Sequence, residues 1–152
     1  MKICAVVLAA GQGTRMRSNL PKVLHPLLGR PMAWHALETA CQVTGSRPVM
    51  IIGHGAETVR QALGEQAAHY VVQEPQLGTG HAVMQAEPLL RGGADLVLVT
   101  YADMPLVSPE TLNRLVAAHQ KNPAVITMVT VIAADPRGFG RIVRGADGQV
   151  QA

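Results

Sequence analysis

Ile3-Cys4-Ala5-Val6-Val7-Leu8-Ala9-Ala10-Gly11-Gln12-Gly13-Thr14-Arg15 opens the chain almost at once: an aliphatic run that gives way to two glycines and an arginine. An apolar run without polar alternation, rich in β-branched residues, is the pattern of a strand covered on both faces. From Ile3 to Ala10 it is eight residues long, against the ~20 needed to cross a bilayer. It follows Met1-Lys2, as a secretory signal would, but a glycine loop comes next instead of a cleavage site. The reading is a buried first strand followed by a loop.

The rest of the composition fits a single aliphatic core. The chain has 152 residues, 48% hydrophobic and 15% charged, with one Trp, two Tyr and one Phe. A chain of this size buries roughly 68–70% of its unfolded surface, and so low a charge content excludes intrinsic disorder. Few aromatics argue against a stacking platform for single-stranded nucleic acid. The formal net charge of +3 comes early: Lys2, Arg15, Arg17, Lys22 and Arg30 all precede the first acidic residue, Glu38. Such a local cluster suits a small polyanion better than nucleic acid. Neither nucleic acid nor a membrane is expected as a partner. Cys4 and Cys41 have no metal or redox spacing and read as two buried free thiols in a reducing cytoplasm.

Beyond the first strand the pattern alternates. Ala33–Cys41 reads as a helix with Trp34, Leu37 and Cys41 on one face, closed by Gly45. Pro48–Ile52 is a second strand. Ala56–Leu63 is a short helix with Val59, Ala62 and Leu63 inward, and His69–Gln73 is a third strand. Thr79 to about Glu87 is a helix broken by Pro88, and Asp95–Tyr101 is a fourth strand. Ser108 is a good N-cap, Pro109 suits the first helical position and Glu110 complements the helix dipole. Val107 and Leu112 form a staple, with Leu112, Leu115 and Val116 inward. Val125–Ala133 reads as a fifth strand, and Arg141–Val143 with a partner from Gln149 as a hairpin about Asp147-Gly148. The fold class expected is α/β, a Rossmann-like doubly wound and mostly parallel sheet, in one domain spanning residues 1–152. Ligands of such sheets bind beyond the carboxyl ends of the strands.

Three loops at that edge carry chemistry. After the first strand, Gly11 and Gly13 let backbone N–H groups approach phosphate oxygens, and Arg15 and Lys22 add positive charge. A P-loop is excluded, because no Gly-Lys-Ser/Thr closes the motif. A dinucleotide fingerprint fails at Met16 and at Gly53-His54, where an acid is required. After the third strand, the Gln73 carboxamide offers a donor and an acceptor to a pyrimidine edge. Gly78 and Gly80 allow close backbone approach there, and Thr79 caps the next helix. After the fourth, Thr100-Tyr101-Ala102-Asp103 places a carboxylate suited to Mg²⁺, which takes one or two carboxylates plus phosphate oxygens. The histidines (His25, His35, His54, His69, His81 and His119) show no metal spacing and read as structural or exposed. No nucleophile elbow points to a hydrolase.

Leu8 through Met16, followed by Leu20-Pro21-Lys22-Val23-Leu24-His25, is similar to the signature of sugar-1-phosphate nucleotidyltransferases. Gln73, Gln76-Leu77-Gly78-Thr79-Gly80-His81-Ala82 and Phe139-Gly140-Arg141-Ile142 narrow the likeness. With them the chain resembles the amino-terminal domain of the bacterial bifunctional N-acetylglucosamine-1-phosphate uridyltransferase/glucosamine-1-phosphate acetyltransferase family. That resemblance implies a cytoplasmic, Mg²⁺-dependent transfer from UTP to N-acetylglucosamine 1-phosphate, giving UDP-N-acetylglucosamine and pyrophosphate for peptidoglycan and lipopolysaccharide synthesis. It implies that Leu8, Ala9, Ala10 and Gly11 line the nucleotide pocket and that Gly13 and Arg15 hold the triphosphate. Lys22 is then the phosphate-binding lysine, and Gln73 reads uracil with Gly78 and Thr79. Tyr101, Ala102 and Asp103 contact the nucleotide sugar, Asp103 ligates the metal, and Gly140 meets the amino sugar; Arg15, Lys22 and Asp103 are the catalytic set.

Ala102 stands where the family usually has Gly, which is expected to tighten the approach to the ribose by a methyl group. The family places a sugar-binding glutamate and asparagine, a metal-binding asparagine and a trimer-forming left-handed β-helix after the position of Ala152. The expectation is therefore a nucleotide half without a complete sugar half, binding UTP weakly and turning over little. The alternatives are a non-catalytic nucleotide-binding module, or a related cytidylyl- or molybdopterin guanylyltransferase.

Overall fold

In a computed structural model, residues 1–151 are described, and their sheet is built outward from the first strand. β1 (Ile3–Leu8) pairs in parallel with β4 (Val49–Ile52) on one edge and with β6 (Leu96–Tyr101) on the other. β5 (His69–Val72) adds outside β4, giving the order β5-β4-β1-β6 with every pair parallel. The unbroken apolar run is explained by its two faces. Ala5, Val7 and Ala9 pack into one cluster with Met50 and Ile52, while Val6, Leu8 and Ala10 pack into another with Val49 and Ile51. A strand whose side chains alternate between two buried layers has no position left for a polar residue.

Helices cover both layers. α1 (Met32–Thr44) and α2 (Ala56–Leu63) lie on the first face, where Ala33, Ala36, Leu37, Ala40 and Val59 are buried. α3 (Thr79–Met84) and α4 (Glu87–Leu90) lie on the second, through Ala82, Ala86 and Leu90. α5 (Pro109–Lys121) returns to the side of α1 and packs Leu112 and Val116 on Leu98. From β1 the chain winds out through β4 and β5, then crosses back to β6 on the far side of β1. The winding therefore reverses between β1 and β6, which is where α/β sheets open a crevice.

Most expected elements stand within a residue or two, including the α1 stop at Gly45 (φ 65°) and the Ser108 cap, whose side chain accepts from Thr111 N at 3.2 Å. Several details differ. The buried stripe of α1 is made of alanines and Leu37, not Trp34 and Cys41; small residues let the helix approach the sheet closely. Trp34 instead lies under the Arg30 guanidinium, 5.2 Å from its ring centroid. Ala62 faces solvent. Pro88 does not break a helix but is the second residue of α4, where its missing N–H falls in the first turn and costs nothing. Gly78, not Thr79, holds the cap position of α3, with no side-chain cap bond. Cys4 and Cys41 are free but only partly buried; burial, and after it the Glu38 charge, pushes the Cys41 thiol pKa up.

The expected strand at Val125–Ala133 does not form. Val125 and Ile132 are almost wholly exposed and Ile126 largely so, and no ladder reaches the segment. β-propensity is realised only by packing against cross-strand neighbours, and none lies alongside. The expected hairpin about Asp147-Gly148 is reduced to one bridge, Arg144 to Val150, around a turn with Gly148 at φ 77°. A small hairpin unforeseen from the sequence, β2 (Pro26–Leu27) with β3 (Arg30–Pro31), turns on Leu28 (φ 50°) and Gly29 (φ 77°). Among the described residues no helix is long and apolar enough to cross a membrane.

Substitutions at two positions test this packing by urea unfolding. Ser108→Ala should cost about 1 kcal/mol and Ser108→Asp much less, because the aspartate still accepts from the first turn. Ala40→Leu, at a fully buried contact of α1 with the sheet, should cost about 1–3 kcal/mol by overpacking.

Candidate active site

The ladders run on past the strand ends and so place the loops. Ala9 N donates to Ile51 O at 2.8 Å, Gln73 N to Ile52 O at 2.8 Å, and Ala102 N to Leu8 O at 2.9 Å. The chain segments leaving β1, β5 and β6 are thus anchored side by side on the carboxyl edge. Between them lies a cleft of about 440 Å³, within the usual size range for small-molecule sites. Its lining includes Leu8, Ala9, Ala10, Gly11, Gly13, Arg15, Lys22, Gln73, Gly78, Thr79, Tyr101 and Asp103, all named from the sequence. Thr14, Val23, Gln76 and Ala82 also line it. Gln76, Val23 and Ala82 stand within the family-like motifs with no role assigned from the sequence, and Val23 and Ala82 have the character of ordinary core residues.

Two expected residues are not part of the cleft. Ala102 is fully buried in the core with Val7 and Ala9, so its methyl group does not narrow the opening. Gly140 lies in the exposed segment after α5 and does not line the cleft. The basic cluster also disperses. Arg30 is engaged over Trp34, and only Arg15 and Lys22 of that group reach the cleft.

Glycines let the loops interlock. Gly13 has φ 63°, and a Cβ there would lie 2.6 Å from Lys22 Cβ, so the lysine stem packs directly on the loop backbone. A Cβ on Gly53 would meet Gln76 Nε2 at 2.6 Å and Ala10 O at 2.9 Å. The loop after β4 therefore gives Gln76 its place beside the loop after β1.

The cleft holds charges of both signs. Lys22 Nζ donates to Asp103 Oδ2 at 2.6 Å, joining residues 81 positions apart. Their side chains are 29% and 34% exposed, so the pair is worth about 0–1 kcal/mol. A bond that weak leaves both groups open to exchange for other partners. Arg15 makes no ion pair among the described residues. Asp103 is the one carboxylate lining the cleft, and no group of three or more His, Cys, Asp or Glu is gathered for a metal among the described residues. A lone carboxylate fits Mg²⁺ that arrives on phosphate oxygens and keeps its waters, not an ion caged by protein. Gln73 is 4% exposed, and its Nε2 contacts Gly78 O at 3.0 Å and His81 Nδ1 at 3.1 Å. His81, read from the sequence as structural, thus supports a cleft residue.

The chain is similar to known nucleotidyltransferases. It is 51% identical over 150 residues to a bifunctional protein GlmU of an Exiguobacterium species, an alignment covering 99% of this chain and 33% of that protein. The chain spans about a third of the length of the curated relatives it matches. A nucleotidyl transferase structure from Methanothermobacter thermautotrophicus superposes with a TM-score of 0.69 at 28% identity, over 76% of this chain and 57% of that one. A Mycobacterium tuberculosis protein solved in complex with manganese does so with a TM-score of 0.66 at 26% identity, over 80% and 61%. The description of a MobA-like NTP transferase domain matches residues 5–140. With its parallel sheet, its cleft at the winding reversal and that match, the chain belongs to the family of MobA-like NTP transferase domains.

Proposed function

We propose that the cleft takes UTP with Mg²⁺ and N-acetylglucosamine 1-phosphate, and transfers the uridylyl group to give UDP-N-acetylglucosamine and pyrophosphate. The observation that carries this reading is the convergence of two cations, a buried carboxamide and a single carboxylate on one cleft, from loops far apart in sequence. The likeness to GlmU proteins supports the choice of uridine and amino sugar.

In this reading Leu8, Ala9 and Ala10 form the apolar floor, and Gln73 with Gly78 and Thr79 faces the base. The Gly11–Gly13 backbone and Arg15 hold the β- and γ-phosphates. Lys22 leaves Asp103 to neutralise charge on the phosphates as the transition state forms. Asp103, with Tyr101 beside it, would hold Mg²⁺, which would supply charge neutralisation to the phosphates. A phosphate oxygen of the sugar phosphate attacks the α-phosphorus in line. The bond from that phosphorus to the bridging oxygen breaks, and pyrophosphate leaves with the electron pair. No covalent enzyme intermediate is needed, because positioning and charge neutralisation carry most phosphoryl-transfer catalysis.

Calorimetry of the chain with MgUTP, MgCTP and MgGTP should give the tightest binding for UTP; equal affinities would remove the uridine assignment. Lys22→Ala should weaken UTP binding about tenfold or more, as expected for losing a charge-assisted phosphate contact. Asp103→Ala should abolish the Mg²⁺ dependence of binding; a variant that keeps it would refute the metal role. Gly13→Ala should reduce UTP affinity in parallel with Lys22→Ala, since its Cβ displaces the lysine stem. Pyrophosphate release in the presence of N-acetylglucosamine 1-phosphate reports the transfer itself.

A further inference from the structure

We infer that His81, together with the Gly78 carbonyl, holds the Gln73 carboxamide with its oxygen toward the cleft, and so sets whether a base read there must donate or accept a hydrogen bond. The inference rests on Gln73 being the residue that faces the base.

A primary carboxamide has two N–H donors and one oxygen. Gln73 Nε2 has two partners inside the protein: Gly78 O at 3.0 Å and His81 Nδ1 at 3.1 Å. Its Oε1 accepts from no protein donor among the described residues, yet it is not among the polar atoms sealed away without a partner. The amide thus spends its donors inward and keeps an acceptor for the cleft. The sequence reading of Gln73 as donor and acceptor together is narrowed to acceptor alone.

His81 makes this arrangement conditional. Nδ1 can accept from Gln73 only when the ring proton sits on Nε2. That nitrogen lies 3.1 Å from Gln85 Nε2, which also donates to the His81 carbonyl at 3.2 Å; Gln85, less buried than Gln73, is the side chain that turns its oxygen to the ring and swings clear of that carbonyl. The opposite tautomer, with the proton on Nδ1, would require Gln73 to turn its oxygen toward the ring. That oxygen would stand about where Nε2 now sits, 3.0 Å from Gly78 O. Two carbonyl oxygens that close have no hydrogen between them, and Gln73 is too buried to swing away, so the Gly78 carbonyl and the Nε2–H tautomer of His81 hold the same orientation.

The consequence is selection between pyrimidines. Uracil carries a proton on N3 and can donate to Gln73 Oε1. Cytosine carries a lone pair on N3 and meets the same oxygen with repulsion. A site that leaves a buried polar group unpaired or opposed discriminates strongly. His81 is a positioning residue, since it acts on the base through Gln73.

Two measurements test this. The ¹⁵N spectrum of His81 in the unliganded chain, assigned against His81→Asn, should show Nδ1 without a proton and Nε2 with one; a protonated Nδ1 overturns the inference. The UTP-to-CTP affinity ratio should fall about tenfold in His81→Leu, which leaves Gln73 Nε2 only the Gly78 carbonyl and one N–H unpaired. It should stay within roughly threefold of wild type in His81→Asn, whose Oδ1 takes the place of Nδ1. An unchanged ratio in a His81→Leu chain that melts cooperatively overturns it too. A wild-type chain that binds UTP and CTP equally while showing the Nε2–H tautomer refutes the uracil reading of the cleft instead, and leaves the Gln73 orientation standing. The spectrum needs only the wild type and the conservative variant, so poor folding of His81→Leu does not protect the inference.

Discussion

Both edges and both faces of β1 are occupied, and the arrangement of the cleft follows from that. Its backbone groups pair with β4 and β6, and its side chains divide between two apolar layers. A strand so enclosed cannot shift register by one residue without exchanging its two layers. The loop that leaves it is therefore fixed relative to the loops leaving its neighbours. Because the chain winds outward from β1 on one side and then returns on the other, the loops diverge just beyond Leu8 and leave a crevice between them.

Close backbone approach then turns a crevice into a site. Gly13 admits the Lys22 stem, Gly55 (φ 67°) lets Pro21 lie against it, and Gly53 makes room for Gln76. These contacts carry side chains from one loop onto the backbone of another, so cleft-lining positions are held by loops other than their own. The Lys22–Asp103 pair spans the cleft on top of this frame. It is too exposed to stabilise the fold much, and that weakness leaves both groups open to other partners.

Much of this was legible in order along the chain. Strand and helix alternation, glycine stops and the Ser108-Pro109-Glu110 helix start are local signals, and each acts within a few residues of where it is written. The three loops were legible because each sets polar or charged side chains just after an apolar run, two of them with glycine and the third with Asp103. What failed were judgements about neighbours. Trp34 and Ala62 were assigned faces by periodicity, but which stripe of a helix is buried depends on how closely the sheet lets it approach. Val125–Ala133 has the composition of a strand and no partner alongside it. Ala102 follows β6 directly, yet its backbone bond to Leu8 draws it into the core.

The sequence by itself determined the α/β class, the buried central strand, the loops that bear chemistry and most of the residues lining the cleft. All of these follow from short-range patterning, where hydrophobic period and turn chemistry act on neighbours in the chain. Only the tertiary structure decided that Lys22 meets Asp103 across 81 positions, that Arg30 goes to Trp34 instead of the cleft, and that His81 takes up one end of Gln73. Each of these is a contact between side chains whose distance is set by strand order and loop interlock. Nothing in the spacing of residues along the chain encodes it.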